Sequence, residues 1–132
     1  MSTSELLQQW YEEVWNKGNE AFIDDNLDPN SISHGLDPQG TVTGIDHFKT
    51  FYRNFRQSFP TISITTTPLV HDGTSAAVYC HVHGRDMNGK EVSFHGISVA
   101  RWHNGKFVES WSHFDFLKMY QQLGHILVAQ IE

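Results

Sequence analysis

Hydrophobic positions along the chain change their spacing once. Leu6, Leu7, Trp10, Tyr11, Val14 and Trp15 recur at the interval that gathers side chains on one face of a helix. Ser2 and Glu5 have capping-box spacing ahead of this stripe, and Lys17-Gly18 ends it. Asn19 is placed to cap a second short helix through Phe22 and Ile23, closed by Asp28-Pro29. "SISHGL" then reads as a short strand entering a Gly/Pro loop, Gly35 to Gly44, with His34 at the strand end. From Ile45 to Phe59 the helical interval returns in Phe48, Phe51, Tyr52, Phe55 and Phe59, and Pro60 stops it.

Beyond Thr61 the pattern alternates. Strands are predicted over Ile62 to Val70, Ser75 to Arg85, Glu91 to His103 and Lys106 to Phe114, separated by Asp72-Gly73, Asn88-Gly89 and Asn104-Gly105. Such pairs tolerate the left-handed backbone of hairpin turns. A helical piece, Leu117 to Leu123, ends at Gly124, and the tail "HILVAQIE" reads as a further helical turn or an added edge strand. No repeat, low-complexity run or linker interrupts the chain, which reads as one domain over residues 1–132. Helices first and an antiparallel meander second predict an α+β fold, with the helices on one face of a curved sheet.

The turns also predict the strand phase. If Asn88-Gly89 and Asn104-Gly105 are both two-residue turns, Phe94 lies opposite His83, and Trp111 lies opposite Ser98. One face then carries Tyr79, His81, His83, Phe94, Gly96, Ser98, Ala100, Trp102, Phe107, Glu109, Trp111, His113 and Asp115. The other carries Val78, Cys80, Val82, His95, Ile97, Val99, Arg101, Val108, Ser110, Ser112 and Phe114. Rings around the small row Gly96, Ser98 and Ala100 predict a cavity beneath the helices on the first face. The flatter second face is expected to join two subunits, giving a homodimer through the outer sheet face.

Charge narrows the partners. Nine Lys and Arg against 15 Asp and Glu give a net charge of -6, with the basic residues scattered, which argues against nucleic acid and anionic membrane surfaces. There is no spanning apolar run and no signal-peptide core, and the lone Cys80 allows no intrachain disulfide, so a cytoplasmic protein is expected. Nine histidines and 13% aromatic residues suit the lining of a pocket for a small-molecule substrate.

Within that pocket Asp115 is the expected acid/base, because burial among rings would raise its pKa. The competing reading makes it the cap of the following helix. His34 and His113 are the expected polar helpers. Trp15, Phe51, Tyr52, Phe55, Tyr79, His81, His83 and Trp111 are the expected substrate-binding walls. His81, His83 and His113 could form a three-imidazole metal site with an open position, but no glutamate follows at cupin spacing, and no metal is assigned. Glu109 is expected to anchor Arg101 or a helix, and His95 and Cys80 to face the interface.

The run "GKFVESWSHFD", with "ISVARW" before its turn and "QLG" after it, resembles the C-terminal half of SnoaL-like polyketide cyclases, within the nuclear-transport-factor-2-like superfamily. "WNKGN", "SISHG" and "TGIDHFKTFYRNFRQSFP" extend the resemblance through the N-terminal half. It implies a cone-shaped α+β barrel, a homodimer and no cofactor. It also implies that Asp115, four residues after Trp111, serves as acid/base in an intramolecular aldol closure, and that His34 can face the pocket. Related enzymes on this fold isomerise ketosteroids or hydrate epoxides, so proton removal beside a carbonyl is the chemistry implied, and the alternative is a non-catalytic homodimer of the same fold that binds a small ligand.

Overall fold

The computed structural model describes residues 1–37 and 40–130. Pro38, Gln39, Ile131 and Glu132, which belong to the expected Gly/Pro loop and the tail, lie outside the described residues.

Ser2 caps α1 (Thr3–Trp10) through the capping box with Glu5. The apolar stripe continues through a π-helical turn, Tyr11–Asn16. A π turn carries one residue more than an α turn, which brings Tyr11, Val14 and Trp15 all to the buried side. Neighbouring elements satisfy the backbone it frees: the Tyr52 hydroxyl donates to the Val14 carbonyl at 2.6 Å, and Arg56 donates to the Trp15 carbonyl. Asn16 pairs with the N–H and C=O of Ile64 at 2.7 and 2.9 Å. α2 (Glu20–Asn26) leads into β1 (Leu27–Asp37), which is longer than the expected short strand. Pro29 enters this strand where the β1–β6 register shifts between Leu27 and Ile32, a place where a missing N–H breaks no ladder bond.

β2 (Gly40–Thr43) occupies part of the expected loop, and α3 (Gly44–Ser58) follows. The meander β3 (Thr61–His71), β4 (Ser75–Arg85), β5 (Glu91–His103) and β6 (Lys106–Phe114) ends in α4 (Phe116–Gln122). The sheet order is β2-β1-β6-β5-β4-β3, antiparallel except for the β1–β6 pair. The result is a curved, unclosed mixed sheet with helices over its inner face, an α+β architecture. The described part of the tail forms neither helix nor strand.

Strand phase departs from expectation at two places. β4 and β5 are joined across Arg85↔Glu91 by five residues rather than two. The Asp86 carboxylate accepts from the N–H groups of Asn88 and Lys90, which organises the longer loop. His83 therefore faces Ser93, and Val82 faces Phe94. Asn104-Gly105 does form the two-residue turn, pairing His103 with Lys106, but Val108 is then an extra residue between the pairs Trp102↔Phe107 and Arg101↔Glu109. Trp111 therefore lies opposite Val99 instead of Ser98.

Because side chains alternate strictly, each one-residue slip inverts a strand. β5 keeps its expected phase, with Phe94, Gly96, Ser98 and Ala100 inward. Val78, Cys80, Val82, Ser110 and Ser112 are buried beneath the helices rather than facing outward. Tyr79, His81, His83, Glu109, Trp111 and His113 lie on the outer face rather than in the cavity, and Asp115 follows them into solvent.

Candidate functional site: a ring-walled funnel with a hydroxyl floor

The inner face of the sheet and the helices above it form a passage of three hollows, the first sharing wall residues with each of the other two. Its throat is lined by Trp15 from the π turn, Phe51 and Phe55 from α3, Ile62, Ile64 and Val82 from the sheet, and Phe94, Phe114 and Phe116. The throat is narrow, with a cavity volume of about 40 Å³. The helical interval that made α3 amphipathic places Phe51 and Phe55 one turn apart, and Trp15 meets both edge-on, at 6.3 and 5.6 Å.

Leu36, Phe51, Phe55 and Phe116 continue outward into a mouth of about 340 Å³, where Asp37, His47, Thr50, Asn54, Ser58 and Tyr120 add polar groups. Inward, Tyr11, Trp15 and Leu36 lead to a floor of about 20 Å³ that also includes Ser33, Ser98, Ser110 and Ser112. The four serines and Tyr11 are buried. Burial pushes the Tyr11 phenol well above its ordinary 10.0, with Cys80 adding to the rise and hydrogen bonding with Ser98 and Ser112 opposing it. The phenol therefore stays protonated and able to donate. Burial likewise lifts the Cys80 thiol to about 11, so it is not a thiolate near neutrality.

Of the expected site residues, the fold brings Trp15, Phe51 and Phe55 together on the funnel wall. Tyr52 is buried behind them, where its hydroxyl holds the π turn. Asp115 is an exposed N-cap whose carboxylate accepts from the Lys118 N–H at 3.1 Å, which is the competing reading of that residue. His34 lies on the outer face, stacked on Trp111 at 5.6 Å, with Nε2 2.8 Å from Glu109 Oε2. Glu109 also accepts from Arg101 at 3.1 Å, the anchor expected for it. The His34 and Arg101 hydrogen bonds hold its carboxyl below the ordinary 4.5.

His113 is exposed opposite Ile97. His83, His81 and His95 form a ladder with centroid spacings of 3.9 and 4.0 Å, continued by Tyr79 at 5.4 Å from His95. Among the described residues no group of three or more His, Cys, Asp or Glu is placed to hold a metal ion.

Sequence reasoning missed the floor serines, Tyr11, Leu36, Asp37 and His47. Ser110 and Ser112 sit at alternate positions of one strand, and that alternation could have marked a small polar face once the bulge was known. Asp37 and His47 carry no periodic signal, because they come to line one mouth only when α3 folds back beside β1.

No helix among the described residues is long and apolar enough to cross a membrane. The family model for SnoaL-like polyketide cyclase matches residues 5–123. Comparison with curated proteins gave no match. Among solved structures, a Bacillus cereus protein provisionally designated a polyketide cyclase is 30% identical, with a TM-score of 0.75 over 86% of this chain and 75% of its own. IdmH from Streptomyces antibioticus, under the same provisional designation, is 21% identical with a TM-score of 0.80 over 95% and 100%. TsrD from Streptomyces laurentii is 22% identical with a TM-score of 0.80 over 94% and 96%. With nearly the whole sequence matched and the curved sheet and helical cover shared, the chain belongs to the SnoaL-like polyketide cyclase family.

Proposed function

We propose that the chain binds a flat, largely apolar, carbonyl-bearing small molecule end-on in the funnel. On the part left in the mouth it performs acid/base chemistry of cyclase or isomerase type. The observation that carries this reading is a ring-walled hollow that shares Tyr11, Trp15 and Leu36 with a second one lined by buried hydroxyls. Rings closely spaced across the throat favour thin, apolar ligands and exclude water. Tyr11 is hydrogen-bonded with Ser98 and Ser112 at the floor, so a ligand edge that enters breaks bonds which an oxygen there can replace and a bare ring cannot, a difference of about 1–3 kcal/mol. Family membership supports the reaction type: a carbonyl compound is enolised, and the enolate carbon either takes its proton back elsewhere or attacks a second carbonyl.

Calorimetric titration with 2-tetralone and 6-hydroxy-2-tetralone tests the binding mode. The hydroxylated ketone should bind about tenfold more tightly, and Tyr11→Phe combined with Ser98→Ala should erase the difference. Equal affinity in the wild-type protein would contradict it.

We further propose a homodimer through the outer face as the structure now defines it. Ile32, Tyr79, Ile97 and Trp111 lie there, each between 36% and 44% exposed and spread over the central strands. Glu109 pairs with Arg101 and His34, so this part of a chain with net charge -6 brings little like-charge repulsion to a second copy.

A further inference from the structure

The mouth of the funnel holds two titratable side chains of opposite capability. Asp37 ends β1, His47 lies in the first turn of α3, and both line the mouth. The other ionisable groups among the described residues lining the passage are the phenols of Tyr11 and Tyr120. The Thr43 N–H donates to His47 Nδ1 at 3.1 Å. A backbone N–H can only donate, so Nδ1 is the acceptor and Nε2 is left as the ring's donor. His47 thus offers its Nε2–H as a donor, and the carboxylate oxygens of Asp37 accept.

The dimensions point to the same place. Throat and floor are too small to hold more than the leading edge of a ligand, so its reacting carbons remain in the mouth, beside these two groups. Asp115, His34 and His113 do not line the passage.

We propose that Asp37 is the general base and His47 the carbonyl-polarising donor of this site, an inference that rests on the funnel reading above. The Asp37 carboxylate takes a proton from the carbon beside the carbonyl. The C–H electron pair becomes the enolate double bond, and the carbonyl π pair moves onto oxygen, which accepts a hydrogen bond from His47 Nε2–H. In isomerisation the protonated Asp37 returns its proton to a conjugated carbon. In cyclisation the enolate carbon bonds to a second carbonyl carbon, and the Asp37 proton passes to the new alkoxide. Neither route needs an oxidant or a reductant.

The test follows deuterium entry at the α-carbons of 6-hydroxy-2-tetralone in heavy water by NMR, with affinity for the same ketone measured on each variant. Wild-type protein should accelerate exchange over buffer. Asp37→Asn should lower the accelerated rate about 100-fold or more, with affinity retained, and Asp37→Glu should keep part of it. His47→Ala should lower it about 100-fold, and Asp115→Asn should exchange like wild type. Exchange that survives Asp37→Asn, or that is lost in Asp115→Asn, would overturn the assignment. So would a wild-type protein that binds the ketone without exchanging it, which would leave the end-on binding mode standing. A wild-type protein that fails to bind the ketone would overturn both.

Discussion

Tyr11 and Asp115 are both ionisable groups near the ends of helical segments, and burial separates their fates. Tyr11 sits under the helices with hydroxyl neighbours, so its proton is held far above the ordinary phenol range. A folded state that keeps a proton the unfolded chain releases loses stability as pH rises beyond about 10, the ordinary phenol value. Alkaline titration followed by phenolate absorbance should therefore give the same folded-state curve for wild type and Tyr11→Phe, with the missing phenol apparent only after unfolding. A lower folded-state amplitude in the variant would place Tyr11 in solvent. Asp115 satisfies one orphan N–H of α4, and Asp115→Ala should cost about 1 kcal/mol in urea denaturation with ligand affinity unchanged. The sequence left both readings of Asp115 open, because a carboxylate at a strand-to-helix junction can cap the helix or face a cavity, and only strand phase decides which.

At the level of elements, the helix stops, the meander and the extents of β4, β5 and β6 were legible, because period and turn residues are local signals. Phase was not, since it depended on the Asp86-centred loop and on the extra residue Val108, each worth a single position. Those two positions moved most of the expected histidines from cavity to outer surface, while the walls contributed by α3 stayed where the helical interval put them. Close backbone packing makes the phase costly to disturb. At Gly35, with φ +76°, an added Cβ would lie 2.1 Å from the Ser112 carbonyl oxygen, a backbone atom locked in the sheet. Gly35→Ala should lose at least about 2 kcal/mol in denaturation, whereas Gly73→Ala, which meets nothing within 4 Å, should stay within about 0.5 kcal/mol of wild type. Equal effects would refute the close approach of β1 to β6.

On the scale of the whole molecule, the sheet divides the chemistry: an apolar funnel on one face, imidazoles and half-exposed rings on the other. If two copies meet through the outer face, Trp111→Arg should convert dimers to monomers in sedimentation velocity, and a wild-type protein that sediments as a monomer would refute that interface. The imidazole ladder adds a pH dependence. Burial, reinforced by the charges of His83, His95 and Lys118, holds His81 below its ordinary 6.5. The folded state thus prefers the neutral ring, so its stability is fully present above about 6.5 and is lost as pH falls through the lowered folded value. The melting temperature should drop on acidification from neutral pH to about 5, and less steeply in His81→Asn.

The most direct measurement is a crystal structure of the protein with 6-hydroxy-2-tetralone. End-on binding puts the ring between Phe51, Phe55 and Phe116, its hydroxyl oxygen within hydrogen-bond reach of Tyr11 or Ser98, and its ketone beside Asp37 and His47. Ligand bound instead on the outer face near Asp115, or a funnel that stays closed at saturating ketone, would contradict it.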